Sequence, residues 1–153
     1  MIRGVSFKTT KKKDKLLKEI LDSINVSKYN WYNIESQNEA WSFSDSGEKE
    51  FLEDIHYQGK LFGEIINKKH YVIFLKLEAY LGETNLYDIH TYEEFQNSEC
   101  EILLLIYDCK FIEVFAKEED IIRNIYENAR KKEFDEIEYI TDMNDGRTNL
   151  DVL

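Results

Sequence analysis

Apolar residues fill every position from Ile102 to Ile106. Filling every position, not every second one, predicts a strand covered on both faces and central in its sheet. A second strand follows across Asp108 and Cys109, which predict a two-residue hairpin turn although Cys stands where Gly is preferred. That register sets Leu105 against Ile112 and Leu103 against Val114 on one side, with Ile106 against Phe111 and Ile102 against Phe115 on the other. It leaves Glu113 opposite Leu104, on an otherwise apolar face. The period then changes: Ile121, Ile122, Ile125, Tyr126 and Ala129 recur at helical spacing. Glu118, Glu119 and Asp120 at the start of this helix and Arg130, Lys131 and Lys132 at its end complement its dipole.

The remaining elements read as layers around this unit. Ile2 to Phe7 predicts a strand, with Gly4 marking a bulge or a close backbone approach. A helix from about Lys11 to Ile24, capped by Thr9 or Thr10, carries Leu16, Leu17, Ile20, Leu21 and Ile24 as one stripe. Tyr29 to Glu35 and Glu39 to Phe43 predict a hairpin across Ser36, Gln37 and Asn38, with Trp31 facing Phe43 and Asn33 facing Trp41. Phe51, Leu52 and Ile55 fit either a short helix or an irregular segment. Gly59 precedes a helix bearing Leu61, Phe62, Ile65 and Ile66, and His70 to Leu77 is a second strongly apolar strand beside the central one. Thr91 with Glu94 makes the capping box of a short helix. The last strand, Asp135 to Thr141, alternates Ile137 and Tyr139 against Glu136 and Glu138. Together these predict one α+β domain over residues 1–153: a mixed, largely antiparallel β-sheet covered by helices, with the strands near 70–77 and 101–107 at its centre.

Composition agrees with a folded globule. Of the 153 residues 42% are hydrophobic, and 21 aromatic side chains exclude a disordered acidic tail. No apolar run reaches the ~18 residues of a membrane span and no signal-peptide core follows the first residues, which predicts a cytoplasmic protein without membrane attachment. Cys100 and Cys109 bound an extended segment that, at ~3.3 Å per residue, holds them beyond the ~7 Å limit for a disulfide. Both are expected as free thiols.

Charge changes the picture further. Residues 1–18 hold seven Lys or Arg and one Asp, whereas the whole chain carries −11, so the remainder carries −17. That excess repels phosphate backbones and disfavours nucleic acid. It attracts a basic protein partner instead. Lys11, Lys12 and Lys13, placed in a first helical turn, are either solvated or positioned to hold a phosphate.

Candidate chemistry is sparse. Asp142, Asn144 and Asp145 resemble a calcium loop, but Gly146 comes one position early and Leu153 stands where the bidentate Glu belongs, so that pattern fails. Asp145-Gly146 is a turn signal, and Arg147 is placed to pair with Asp142. His56, His70 and His90 have no zinc-binding frame, and no phosphate-binding loop, dinucleotide fingerprint or nucleophile elbow is present. No cofactor and no metal is expected. Asp88 and His90 share a face, while Glu113 is either an acid or base in a cleft or an edge-strand carboxylate in water. Trp31 and Trp41 belong either to the core or to an exposed aromatic hot spot.

The segments Arg3-Gly-Val-Ser-Phe7, Tyr29-Asn-Trp-Tyr32 and Thr141-Asp-Met-Asn-Asp-Gly-Arg-Thr148 resemble, in that order, a family of small uncharacterised proteins from Bacillus-type bacteria. The resemblance implies a cytoplasmic bacterial protein and carries over no functional residue. The favoured expectation is a non-enzymatic binding module engaging a basic partner through Trp31, Trp41, Glu136, Glu138, Asp142, Asp145 and Arg147, a bacterial immunity protein being one form. The alternative is a small enzyme or small-ligand binder with a polar pocket near His90, Glu113 and the Asp142 to Arg147 turn.

Overall fold

The computed structural model describes residues 1–34, 38–44, 47–83, 86, 88–146 and 149–152. Its elements run β1 (Ile2–Lys8), α1 (Leu16–Leu21), β2 (Asn30–Tyr32), β3 (Glu39–Ser44), β4 (Gly47–Glu50), β5 (His56–Gln58), α2 (Gly59–Ile66), β6 (His70–Tyr80), α3 (Tyr92–Asn97), β7 (Ile102–Tyr107), β8 (Phe111–Ala116), α4 (Glu119–Lys131) and β9 (Asp135–Thr141). The strands form one sheet in the order β4-β3-β6-β7-β8-β1-β9, with β2 and β5 joined to the far end of β6. The architecture is α+β, and every ladder between these strands is antiparallel. One parallel contact is an isolated bridge, Lys15 to His70.

The fully apolar run earns its central place. Ile102 through Ile106 are all completely buried because both faces of β7 are covered. One face, carrying Leu75, Leu77, Leu104, Ile106, Ile112 and Val114, packs against α1, α2 and α4. The opposite face, carrying Leu103, Leu105, Phe115 and Ile140, is covered in part by Phe95 of α3 and by Leu150 and Val152 of the C-terminal segment.

Several expectations give way to geometry. In the β7–β8 hairpin Asp108 and Cys109 both take positive φ, 53° and 65°, and the Lys110 N–H donates to the Tyr107 carbonyl at 3.3 Å. Lys110 then adds a third loop residue, so Tyr107 faces Phe111 and Ile106 faces Ile112. The register is one residue off the expected one, and Glu113 lies opposite Leu105. Nor is Glu113 on an edge strand, since β8 lies between β7 and β1.

The hairpin expected over residues 29–43 does not form. β2 and β3 instead lie end to end along one edge of β6, at Glu78–Tyr80 and at His70–Phe74. Between them the Asn38 side chain stands in for a strand: its Oδ1 accepts from the Lys76 N–H at 3.0 Å and its Nδ2 donates to the Lys76 carbonyl at 3.4 Å. The proposed turn residues Ser36 and Gln37 lie outside the described residues.

The first helix is shorter than its apolar stripe suggests. Residues just before it are drawn to the sheet, where the His70 N–H donates to the Asp14 carbonyl at 2.8 Å. The helix therefore begins at Leu16, and His70 Nε2, not Thr9 or Thr10, accepts from the buried Leu17 N–H in its first turn at 3.1 Å. Lys11 and Lys13 lie ahead of the helix, against Glu133 at 3.5 Å and Glu19 at 3.4 Å. Gly59 opens α2 because a Cβ there would stand 2.5 Å from the carbonyl oxygens of Val26 and Tyr29. Phe51 and Leu52 form a buried irregular turn in which Leu52 takes φ 60°.

Candidate functional site

Residues that face each other across a ladder share a side of the sheet. On the partly covered face this rule aligns Lys76, Leu105, Glu113, Ser6 and Glu138 across five neighbouring strands, β6 to β9 by way of β1. The next line, Leu103, Phe115, Gly4 and Ile140, is apolar and lies beneath Tyr92 and Phe95. Gly4 allows β1 to lie this close to β8, since a Cβ there would fall 2.2 Å from the Val114 carbonyl oxygen. Cover stops at this line. Beyond it, over β8, β1 and β9, a groove of about 330 Å³ opens between Tyr107, Glu113, Ser6, Glu138 and Asp145. It continues into a smaller hollow of about 160 Å³ that adds Lys8, Phe111 and Glu136.

The groove is acidic and partly aromatic. Glu113 is only 6% exposed at its floor, and its Oε2 accepts from the Tyr107 hydroxyl at 3.2 Å. Tyr107 stacks on Phe111 with centroids 5.3 Å apart. Glu138 and Glu136 stand exposed on the wall, Glu136 paired with Lys8 at 3.2 Å. Asp145 closes one end, held by Arg3 at 3.1 Å. Arg3 also binds Asp142 at 2.8 Å and lies over the Tyr92 ring at 4.2 Å. The hydrogen bond from Arg3 holds the Asp142 carboxyl below the usual carboxylate range.

The fold thus brings together Glu113, Glu136, Glu138 and Asp145. Asp142 sits behind the groove in the Arg3 cluster, and Arg147 lies outside the described residues. Trp31 is completely buried, stacked on Phe62 with centroids 4.5 Å apart, while its indole N–H donates to the Val26 carbonyl at 2.9 Å. It offers no surface to a partner. Trp41 is half-buried on β3, far along the sheet order from β9.

His90 does not join Glu113. It belongs to a second polar cluster on the same face, over β6, where Asp151 takes both His90 Nδ1 at 2.7 Å and Lys76 Nζ at 3.1 Å. Asp88 meets His90 Nε2 at 2.5 Å, as the shared face of these two residues requires. His70 is a structural histidine: it is 1% exposed and has both ring nitrogens bonded, Nε2 to the Leu17 N–H and Nδ1 to the Lys68 carbonyl. Among the described residues no group of three His, Cys, Asp or Glu side chains is arranged to hold a metal ion.

Sequence reasoning missed Arg3, Lys76 and Tyr107. Lys76 and Glu78 interrupt an otherwise apolar run at alternate positions, which is the signal that their side of β6 carries polar contacts. Larger hollows mark the surface elsewhere. One, of about 360 Å³, lies between α1 and α2; another, of about 530 Å³, is rimmed by Glu83, Glu99, Glu101 and Glu118 around Lys117. Neither is floored by a buried carboxylate. No helix among the described residues is long and apolar enough to cross a membrane.

The family described as Protein of unknown function (DUF2691) matches residues 2–151. The uncharacterized protein YncE of Bacillus subtilis (strain 168) is 33% identical over 157 residues, covering 99% of this chain and 100% of that relative. No solved structure matches.

Proposed function

We propose that this chain, which belongs to the DUF2691 family, is a non-enzymatic binding module that holds a basic protein partner against the acidic groove. One observation carries the reading: Glu113, distant in sequence from Glu136, Glu138 and Asp145, borders with them one open groove on the partly covered sheet face. A net charge of −11 adds long-range attraction for a cationic partner and repels nucleic acid. Tyr107 and Phe111 supply aromatic surface on which Lys or Arg side chains stack. A bacterial immunity protein masking a basic nuclease toxin is one concrete form of this arrangement. The proposal includes a cytoplasmic setting, in keeping with the free thiols of Cys100 and Cys109.

The test is affinity capture from bacterial lysate at low and high salt, with wild-type protein and the Glu136→Gln/Glu138→Gln double variant as parallel baits. A basic protein retained by wild type at low salt, released at high salt and depleted on the variant is the expected outcome. Equal retention on both baits, or retention insensitive to salt, removes the groove as the contact surface. A small cationic ligand in the same groove is a second reading, favoured by the burial of Glu113 beside Tyr107. A thermal-shift screen of diamines and polyamines against wild type and Glu113→Gln decides it.

A further inference from the structure

Residues 149–152 lie across the sheet over β6 as a strap, with Leu150 and Val152 buried in the core of that face. Three polar contacts hold it down. The Leu150 N–H donates to the His90 carbonyl at 2.7 Å, and Asp151 Oδ1 accepts from Lys76 Nζ at 3.1 Å and meets His90 Nδ1 at 2.7 Å. Beneath the strap Lys76 is 3% exposed and Glu78 1% exposed. Glu78 Oε1 accepts from the Tyr80 hydroxyl at 2.5 Å, while among the described residues its Oε2 has no hydrogen-bond partner.

We propose that this strap is a pH-sensitive latch, closed over Lys76 and Glu78 while His90 is charged and released when His90 gives up its proton. Geometry makes the argument. A carboxylate faces each ring nitrogen, Asp151 at Nδ1 and Asp88 at Nε2. Only the imidazolium has two N–H donors; the neutral ring must leave one carboxylate facing a lone pair. The other charged groups around His90 are Glu94 of α3, whose Oε1 accepts the His90 backbone N–H at 3.3 Å, and Lys76 and Glu78 of β6. The carboxylates of Asp151 and Asp88 against one lysine favour the charged ring.

The directions of titration agree. The Asp151 hydrogen bond, opposed by burial, raises the His90 pKa. The closed strap therefore holds that proton more tightly than the open one. Its contribution is complete below the ordinary value of about 6.5 and is lost as pH rises through the raised value. Burial works against the Asp151 carboxylate, but hydrogen bonds from His90 and Lys76 hold its pKa below the usual range, so its part of the latch fails only in acid. Burial pushes the Glu78 carboxyl up, and rising pH forces charge onto a group with an unpartnered oxygen. Both His90 and Glu78 thus open the latch in the same direction. The latch stands apart from the partner reading, because it concerns the chain alone.

Amide hydrogen exchange followed by NMR tests it, with rates corrected for intrinsic pH dependence. In wild-type protein, protection of the Leu150 amide should fall between about pH 6 and about pH 9, by roughly tenfold for each unit by which the contacts raise the His90 pKa. Protection of the Leu104 amide in β7, which opens only with the whole sheet, should fall by no more than the same factor. His90→Gln should flatten the Leu150 profile. Asp88→Asn, an exposed change that leaves the core intact, should move its midpoint to lower pH. A flat wild-type profile, an unchanged profile in both variants, or a loss at Leu104 that exceeds the loss at Leu150 each overturns the latch.

Discussion

His70 is the residue where a titratable side chain has been turned into a structural part. Stacked on Phe51 at 4.4 Å and bonded at both nitrogens, it ties the start of α1 to the start of β6 in its neutral form. Burial lowers its pKa. A depressed histidine contributes stability above its unfolded value of about 6.5 and loses it as pH falls through the folded value. Replacing it by Leu should cost about 1–3 kcal/mol near neutrality, because the Leu17 N–H loses its acceptor. Below about pH 6 the gap between wild type and His70→Leu should narrow. Denaturant titrations across pH check this, and a gap independent of pH would mean that His70 is not held neutral. Nothing in the spacing of His56, His70 and His90 distinguishes their roles. Burial and neighbours do, and those come from distant strands.

Elements were legible where they depend on their own pattern, and less so where they depend on a choice of partner. The strands β1, β6 and β9 and the helix α4 follow their periodicities, and the Thr91 cap forms as its motif predicts, its hydroxyl accepting from the Glu94 N–H at 3.1 Å. The hairpin over residues 29–43 failed because alternation tells which residues are buried, not which strand lies alongside. The candidate groove is hidden for the same reason: Glu113 and Glu138 meet only through two ladders, β8 to β1 and β1 to β9, that join segments far apart in the chain. One element also carries its own protection. On the outer edge of β9 the Asn144 side chain donates to the Tyr139 carbonyl at 3.0 Å and accepts from the Thr141 N–H at 2.7 Å, occupying sites where another strand would add. Asn144→Ala should leave the melting temperature nearly unchanged while raising the concentration-dependent mass in sedimentation. An unaltered mass would show that the charged side chains Glu136 and Glu138 guard this edge by themselves.

At the scale of the whole molecule, every strand belongs to one sheet, and β6 joins both halves through β3 and β2 on one side and β7 on the other. Unfolding should accordingly be a single cooperative event. Fluorescence of Trp31 and Trp41, which sit on different strands against different ends of β6, should follow the same denaturation curve as far-ultraviolet circular dichroism. Separate midpoints would divide the chain into independent units. The charge imbalance visible in the sequence is partly cancelled by the fold, which sets Lys8 and Lys11 of the basic segment against Glu136 and Glu133 near the end. That layout follows from the position of β1, inserted between β8 and β9. Its two neighbours span residues 111–116 and 135–141, so β1 has no ladder partner until more than a hundred further residues have been made. Long-range closure of this kind slows folding.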